Sequence, residues 1–161
     1  MNTAYLLIGG NLGDRAAYLQ EAVKHIEARC GSITSSSSIY ETAAWGNTNQ
    51  PTFYNQALKL ITPLSPASLL EQLLAIELEM GRVRSEKYGP RTIDLDILMI
   101  DDKVIDTPTP ALTIPHPQLH NRRFALLPLT EIAPSLHHPV LDKTVSELLE
   151  NCTDTLDVQK K

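Results

Sequence analysis

Short apolar runs alternate along the chain with longer segments in which apolar residues recur at every third or fourth position. The runs are apolar, or rich in β-branched and aromatic residues, and therefore predict strands over 5–8, 33–41, 53–62 and 92–100. Helical spacing predicts one helix up to Cys30, begun by Asp14, and a second after Ser65 and Pro66 that ends at Gly81. Two shorter helices are predicted over 123–132 and 143–150.

These elements follow the order β-α-β-β-α-β with a helical tail. We expect an α+β, ferredoxin-like fold: an antiparallel sheet with two helices on one face and a short C-terminal helical extension. Asp101 and Asp102 are expected to turn the last strand into a short returning segment over 103–106. The order of elements carries no information on function.

Length and composition place the chain among small globular proteins. Its 161 residues predict a single domain over 1–161, and its 42% hydrophobic content suffices for a core. The net charge of -5 argues against general binding to nucleic acids or to anionic membranes. Two lone cysteines fit a reducing compartment, and neither a signal peptide nor a membrane span is evident, so we expect a cytoplasmic protein. Nothing in the sequence indicates an obligate protein partner.

Positive charge is nevertheless concentrated in one loop. Arg82, Arg84, Lys87 and Arg91 lie within ten positions and run directly into the strand that carries Asp94 and Asp96. The two aspartates point to one face of that strand, about 6.6 Å apart, so they can share bound cations. Magnesium is usually held by one or two carboxylates plus substrate phosphates, and arginine suits phosphate oxygens. The combination predicts a magnesium–polyphosphate site, and the loop composition suits a lid.

Plainer interpretations exist for each half of this pattern. The loop could be a solvated basic loop, and the aspartates could lie on a solvated strand face. Against the second interpretation, Leu98 and Ile100 are expected to continue the aspartate face with apolar groups, whereas a solvated face should stay polar.

Other candidate residues lie apart from this run. His116, between two prolines, and Arg122 could bind a ligand, although a histidine in such a turn is more often structural. Glu77 falls on the apolar face of the second helix and needs a partner, either Arg82, Arg84 or a ligand. The turn at 9–14 matches no phosphate-binding or dinucleotide fingerprint.

Aromatic residues are few, and several flank the loop at 43–52. Trp45, Phe53 and Tyr54 lie there, and Tyr88 and Phe124 are next to other candidate residues. Flat heteroaromatic ligands stack on such rings, and the amide of Asn55 could recognise a donor–acceptor edge. A purely structural role in the core explains these aromatic residues equally well.

Several motifs together resemble a known family, the 6-hydroxymethyl-7,8-dihydropterin pyrophosphokinases of folate biosynthesis. They are I-G-G-N-L-G (8–13), Y-E-T (40–42), Q-P-x-F-x-N (50–55), I-E-x-x-x-G-R (76–82), G-R-V-R (81–84), Y-G-P-R-T-I-D-L-D-I (88–97) and P-H-P-x-L-H-x-R-x-F (115–124). The resemblance covers about residues 4–142. The G-P-R-T-x-D-L-D run is highly specific, and the motifs occur in the family's order.

The resemblance implies transfer of the β,γ-pyrophosphate of ATP to the hydroxymethyl oxygen of the pterin, with release of AMP. It implies that Asp94 and Asp96 hold two Mg²⁺ ions and that Arg82 and Arg91 steady the transferred group. It places Arg84 and Tyr88 in a closing loop. Further nucleotide-side residues would be Glu77, Ile97, Thr113, His116 and Arg122. The pterin would be bound by Thr42, Ala43, Trp45, Phe53, Asn55 and Phe124, with the two phenylalanine rings on either side of it.

The sequence departs from the commonest family pattern at Gly10, Ala43, Leu74 and Pro117. The main rival class is an RNA-recognition module, which has the same order of elements. The strand at 53–62 lacks the aromatic RNA-binding signature, and the charge is wrong for phosphate-dominated binding. A ligand-sensing regulatory domain would not need two aspartates beside three arginines.

Overall fold

An antiparallel sheet organises the fold. A computed structural model describes residues 1–43, 51–81 and 93–161. Strand β1 (Asn2–Gly10) lies between β4 (Phe53–Thr62) and β5 (Asp94–Ile100). The other edge of β4 pairs with β2 (Ser32–Ser36) and β3 (Tyr40–Thr42), and β3 pairs in turn with β10 (Val158–Lys160).

Helices cover both faces of the sheet. The helices α1 (Arg15–Arg29) and α2 (Pro66–Glu79) pack with Leu6 and Ile8 of β1. The helices α3 (Arg123–Ile132) and α4 (Val145–Asn151) pack with Tyr5 and Leu7, whose side chains point to the opposite face. The expected α+β fold is confirmed, and the helical extension forms a second core on the free face of the sheet.

Local signals place the helix starts. The carboxylate of Asp14 accepts a hydrogen bond from the Ala17 amide at 3.1 Å, and the Ser65 hydroxyl accepts one from the Ser68 amide at 3.2 Å. Both are N-cap interactions of the kind expected from the sequence. Thr144 and Glu147 form a capping box at α4.

The structure differs from the expected strands in three places. The segment 33–41 is divided into β2 and β3, because the hydroxyl of Ser37 accepts a hydrogen bond from the Ala57 amide where the two strands separate. The returning segment does not pair with β5: β6 (Ile105–Pro108) forms a separate hairpin with β7 (Ala111–Ile114). The strands β8 (His137–His138), β9 (Lys143–Thr144) and β10 were not predicted.

A register shift changes which residues share the aspartate face. Leu6 pairs with Ile97 and Tyr5 pairs with Met99, so Leu98 has no partner on β1. Leu98 packs in the α3/α4 core, whereas Ile100 packs in the α1/α2 core. The expectation that Ile100 continues the aspartate face is therefore wrong, since the extra residue reverses the alternation.

None of the helices in the described ranges has the length and hydropathy required to cross a membrane. The cytoplasmic location stays a prediction.

Candidate active site

Two rows of paired residues on the neighbouring strands β4, β1 and β5 form one surface of the candidate site, which we call its floor. Gly9 of β1 pairs with Asn55 of β4 on one side and with Asp94 of β5 on the other, and Leu7 pairs with Asp96. Neighbouring strands lie about 4.8 Å apart, so the backbones of Asn55 and Asp94 are separated by roughly 10 Å. All these positions share the face covered by α3, because Leu7 packs in the α3/α4 core.

Asp94 and Asp96 fit the requirements of a magnesium site. Both are half-buried on one strand face, as expected from the two-residue spacing. In the described ranges, no group of three or more His, Cys, Asp or Glu residues is arranged to hold a metal. Two carboxylates are chemically enough when substrate phosphates supply further oxygen ligands.

Asn55 combines burial with an unused donor. Its residue is 5% exposed, and its amide nitrogen Nδ2 has no hydrogen-bond partner in the described part of the chain. A buried polar group without a partner is costly, by about 1–3 kcal/mol. An acceptor on a bound ligand would satisfy it.

The other predicted pterin residues in the described ranges lie on β4, at the end of β3 and on α3. Phe53 begins β4 opposite Thr42, and Ala43 follows Thr42 directly. The Thr42 hydroxyl donates a hydrogen bond to the carbonyl of Asp157 at 3.0 Å, so this hydroxyl is already engaged within the protein. Phe124 lies in the first turn of α3, which packs over β3, β4 and β1.

His116, Arg122 and Asp94 come together at the other end of the floor. Burial and the Arg122 cation lower the pKa of His116 to about 4, although the Asp94 carboxylate opposes this shift. The imidazole Nδ1 accepts a hydrogen bond from the Gln118 amide at 3.1 Å. At neutral pH the ring is therefore uncharged and carries its proton on Nε2, where it can donate to a phosphate oxygen.

The backbone places His116 beside the aspartate strand. Its amide donates to the carbonyl of Leu98, the residue without a β1 partner, at 2.9 Å. The guanidinium of Arg122 lies 5.6 Å from the ring centroid of Phe124, so the predicted phosphate and pterin residues meet at the start of α3.

A cavity of about 220 Å³ lies between the β6–β7 hairpin, the turn at His116 and the β8–β9 hairpin. Thr113 and His116, both predicted on the nucleotide side, line it. The Thr113 hydroxyl donates to the carboxylate of Asp106 at 3.4 Å. The other lining residues are Val104, Ile105, Asp106, Ile114, Pro115, Pro117, His120, His138, Val140 and Leu141.

Glu77 and Ile97 occupy the opposite face of β5. Glu77 is 2% exposed, and its Oε2 accepts a hydrogen bond at 2.7 Å from the amide of Leu95, between the two aspartates. This contact ties α2 to the aspartate strand. The Ile97 side chain packs in the α1/α2 core, so a nucleotide could contact only its backbone.

Five predicted site residues lie outside the described ranges. They are Arg82, Arg84, Tyr88 and Arg91 of the basic loop and Trp45 of the aromatic loop. Their roles stay predictions.

The turn after β1 does more than the sequence indicated. The side chain of Asn11, which is 1% exposed, donates to the carbonyl of Pro51 at 3.0 Å. Arg15 donates to the carbonyl of Thr52 at 2.9 Å and stacks on the ring of Tyr54 at 3.9 Å. These contacts hold the beginning of β4, and with it Phe53. No local pattern links residue 11 to residue 51, so reasoning from the sequence could not find this role.

Comparison with known proteins agrees with the family that the sequence motifs indicate. The family model for 7,8-dihydro-6-hydroxymethylpterin-pyrophosphokinase matches residues 5–134. The chain belongs to this family. The resemblance inferred from the sequence motifs is thereby confirmed.

Bacterial relatives match over most of their length. A 2-amino-4-hydroxy-6-hydroxymethyldihydropteridine pyrophosphokinase of Aquifex aeolicus is 43% identical over 147 residues, covering 91% of this chain and 90% of the relative. A protein of the same name from Haemophilus influenzae is 39% identical over 155 residues, covering 96% and 95%.

Solved structures support the same fold. Crystal structures of wild-type Plasmodium falciparum HPPK-DHPS with pteroate and with SDX-DHP superpose with TM-scores of 0.76 and 0.75 at 20% identity. They cover 93% and 94% of this chain, which spans 42% and 43% of theirs. At this identity, the similarity concerns the fold alone.

Proposed function

We propose that this pyrophosphokinase transfers the β,γ-pyrophosphate of ATP to the hydroxymethyl group of 6-hydroxymethyl-7,8-dihydropterin and releases AMP. The names of its bacterial relatives support the pterin acceptor. The observation that carries the proposal is the cross-strand row that joins the buried amide of Asn55, through Gly9, to the carboxylate of Asp94. A pterin-edge donor and a metal-binding carboxylate thus share one floor.

The pterin end of the site supplies stacking and one directed hydrogen bond. Phe53 and Phe124 provide aromatic surface, and Nδ2 of Asn55 donates to an acceptor on the pterin edge. Thr42 supports this end through its backbone, because its hydroxyl is engaged by Asp157.

The phosphate end supplies charge. Arg122 and the Nε2 proton of His116 act on phosphate oxygens, and Arg82 and Arg91 are further candidates. Asp94 and Asp96 would hold two Mg²⁺ ions, which when bound neutralise charge on the phosphates. Thr113 and the backbone of Ile97 would contact the nucleotide, beside the cavity at the β6–β7 hairpin.

The chemistry needs positioning more than a protein nucleophile. The hydroxymethyl oxygen forms a bond to the β-phosphorus as the bond between that phosphorus and the bridging oxygen of the α-phosphate breaks. AMP leaves, and the hydroxyl proton passes to water. Aligning the two substrates and neutralising the phosphate charge supply the rate enhancement in such transfers.

Phosphorus NMR of the protein with ATP, Mg²⁺ and the hydroxymethyl dihydropterin tests the reaction. We expect AMP and a pterin diphosphate to appear together. Production of ADP in place of AMP, or no turnover, would overturn the proposal.

The metal role is tested by Asp96→Ala, with Asp102→Ala in the exposed turn after β5 as the matched control. We expect the first variant to fold and to lose turnover, and the second to keep it. Turnover by Asp96→Ala at physiological Mg²⁺ would show that this carboxylate is not required.

A further inference from the structure

The segment 152–161 connects the two walls of the proposed pterin site. One wall is the first turn of α3, which carries Phe124. The other is formed by β3 and the beginning of β4, which carry Thr42, Phe53 and Asn55. The segment forms hydrogen bonds to both walls, and its only regular element is the short strand β10.

At the first wall, the segment provides the cap that α3 lacks. Arg122 occupies the N-cap position of α3 but makes no side-chain capping hydrogen bond. The carboxylate of Asp154 does so instead: its Oδ2 accepts from the amide of Arg123 at 3.0 Å. Its Oδ1 accepts from the amide of Leu156 at 3.0 Å, which holds the carboxylate in place. A carboxylate at this position also interacts favourably with the helix dipole.

At the second wall, the segment becomes part of the sheet. The carbonyl of Asp157 accepts from the Thr42 hydroxyl at 3.0 Å, and β10 pairs with β3 through Val158, Gln159 and Lys160. The amide of Lys161 donates to the carbonyl of Ile39 at 2.8 Å.

The two attachment points are only three residues apart in sequence. Three residues span at most about 11 Å, so the attachment at Asp157 limits how far the start of α3 can move from β3. A flat ring held between two others needs roughly 7 Å between the outer rings, from contacts of about 3.5 Å on each side. The movement that this connection allows is therefore comparable with the spacing that a stacked pterin needs.

We propose that Asp154 is a positioning residue of the pterin site: by capping α3 from a segment anchored on β3, it sets the spacing between the wall of Phe124 and the wall of Phe53 and Asn55. This role rests on the proposed function, because it concerns the same site. Asp154 does not touch the substrate itself.

The test compares Asp154→Ala, Asp154→Asn and Asp157→Ala. Asparagine keeps one acceptor oxygen, so it can cap the Arg123 amide or bind the Leu156 amide but not both. Asp157→Ala is the matched control, because it removes a carboxylate that accepts a hydrogen bond from Gln159 and retains the carbonyl that binds Thr42. Binding of the hydroxymethyl dihydropterin is measured by calorimetry with saturating Mg²⁺ and α,β-methylene-ATP, in which the bond that breaks is blocked.

We expect the pterin Kd of Asp154→Ala to rise about tenfold, that of Asp154→Asn to rise by less, and that of Asp157→Ala to stay within twofold of wild type. Without ligands, amide hydrogen exchange in the first turn of α3 should be fastest in Asp154→Ala. Thr144→Ala removes the cap of α4, so it lowers stability away from this turn and should leave the pterin Kd unchanged.

If Asp154→Ala and Asp157→Ala bind the pterin equally well and the wild-type protein also binds it, the positioning role is overturned but the proposed function is not. An equal loss in Thr144→Ala would also overturn the positioning role. A wild-type protein that binds no pterin would overturn the proposed function, and with it this role.

Discussion

Gly9 is the residue on which the floor of the candidate site depends. A Cβ at this position would lie 2.2 Å from Oδ1 of Asn55 and 2.8 Å from the carbonyl oxygen of Tyr54. Real Cβ atoms do not approach other atoms so closely, and the Tyr54 oxygen is part of the β4 backbone. Only glycine therefore lets the amide of Asn55 lie over β1, between β4 and Asp94.

Gly9→Ala should destabilise the protein by about 1–3 kcal/mol, as overpacking usually does, and should weaken pterin binding by displacing Asn55. A double-mutant cycle with Asn55→Ala isolates the contact, measured as unfolding free energy in urea. We expect Gly9→Ala to cost less when Asn55 is absent, because the nearest atom has been removed. Strictly additive effects would contradict this origin of the glycine requirement.

His116 predicts a pH dependence of stability. Its pKa in the folded protein is about 4, below the usual 6.5, so the unfolded state binds the proton more tightly. Its contribution is fully present above pH 6.5 and is lost as the pH falls through about 4. The difference between the two pKa values corresponds to roughly 3 kcal/mol of unfolding free energy.

Urea unfolding between pH 7 and pH 4 measures this contribution. His116→Asn should show a distinctly smaller loss of stability over the interval, because asparagine can accept the Gln118 hydrogen bond without titrating. Parallel curves for His116→Asn and wild type would exclude His116 as the source.

At the scale of elements, the aspartate strand is held from both sides. Glu77 of α2 accepts from the Leu95 amide on one face, and the Leu98 carbonyl accepts from His116 on the other side of the register shift. Helix α2 and the turn at His116 are thus both connected to β5 within a few residues of Asp94 and Asp96. The geometry of the two carboxylates therefore depends on elements that carry neither of them.

Glu77→Ala should lower the unfolding free energy by about 1–3 kcal/mol, because the buried Leu95 amide loses its acceptor. It should also weaken binding of the Mg²⁺ complex of α,β-methylene-ATP, since β5 is released from α2. Glu77→Gln retains an acceptor oxygen and should recover most of both properties. Calorimetry and urea unfolding provide the two measurements, and a Gln variant as defective as Ala would show that the charge matters instead.

In the whole molecule, the sheet separates two hydrophobic cores, and only one of them adjoins the candidate site. The α1/α2 core contains Leu73, and the α3/α4 core contains Leu126. Both leucines are essentially inaccessible to solvent. Only the second core lies on the face that carries the aspartates, Asn55 and Phe124.

The matched pair Leu73→Ala and Leu126→Ala tests this division. Both should lose about 2–5 kcal/mol of stability, as buried leucines do. At a temperature where both variants are folded, we expect the pterin Kd to rise more in Leu126→Ala, because α3 carries Phe124. Equal pterin affinities would show that the α3/α4 core does not support that wall.

Much of the architecture is determined by local patterns. The bounds of α3 and β4 agree with the predicted 123–132 and 53–62, and the caps at Asp14 and Ser65 form as expected. Alternation along a strand suffices to put Asp94 and Asp96 on one face. These features follow from interactions over a few residues, which periodicity and capping preferences describe directly.

The sequence by itself determined the family, the α+β order of elements and the residue types of the site, because its motifs and periodicities are local. Tertiary structure decided which distant residues meet: Gly9 with Asn55 and Asp94, Glu77 with Leu95, and Asp154 with Arg123. It also decided the face on which each core forms, since one unpaired residue at Leu98 reverses the alternation of β5. Such contacts depend on strand register and chain closure, which no local pattern encodes.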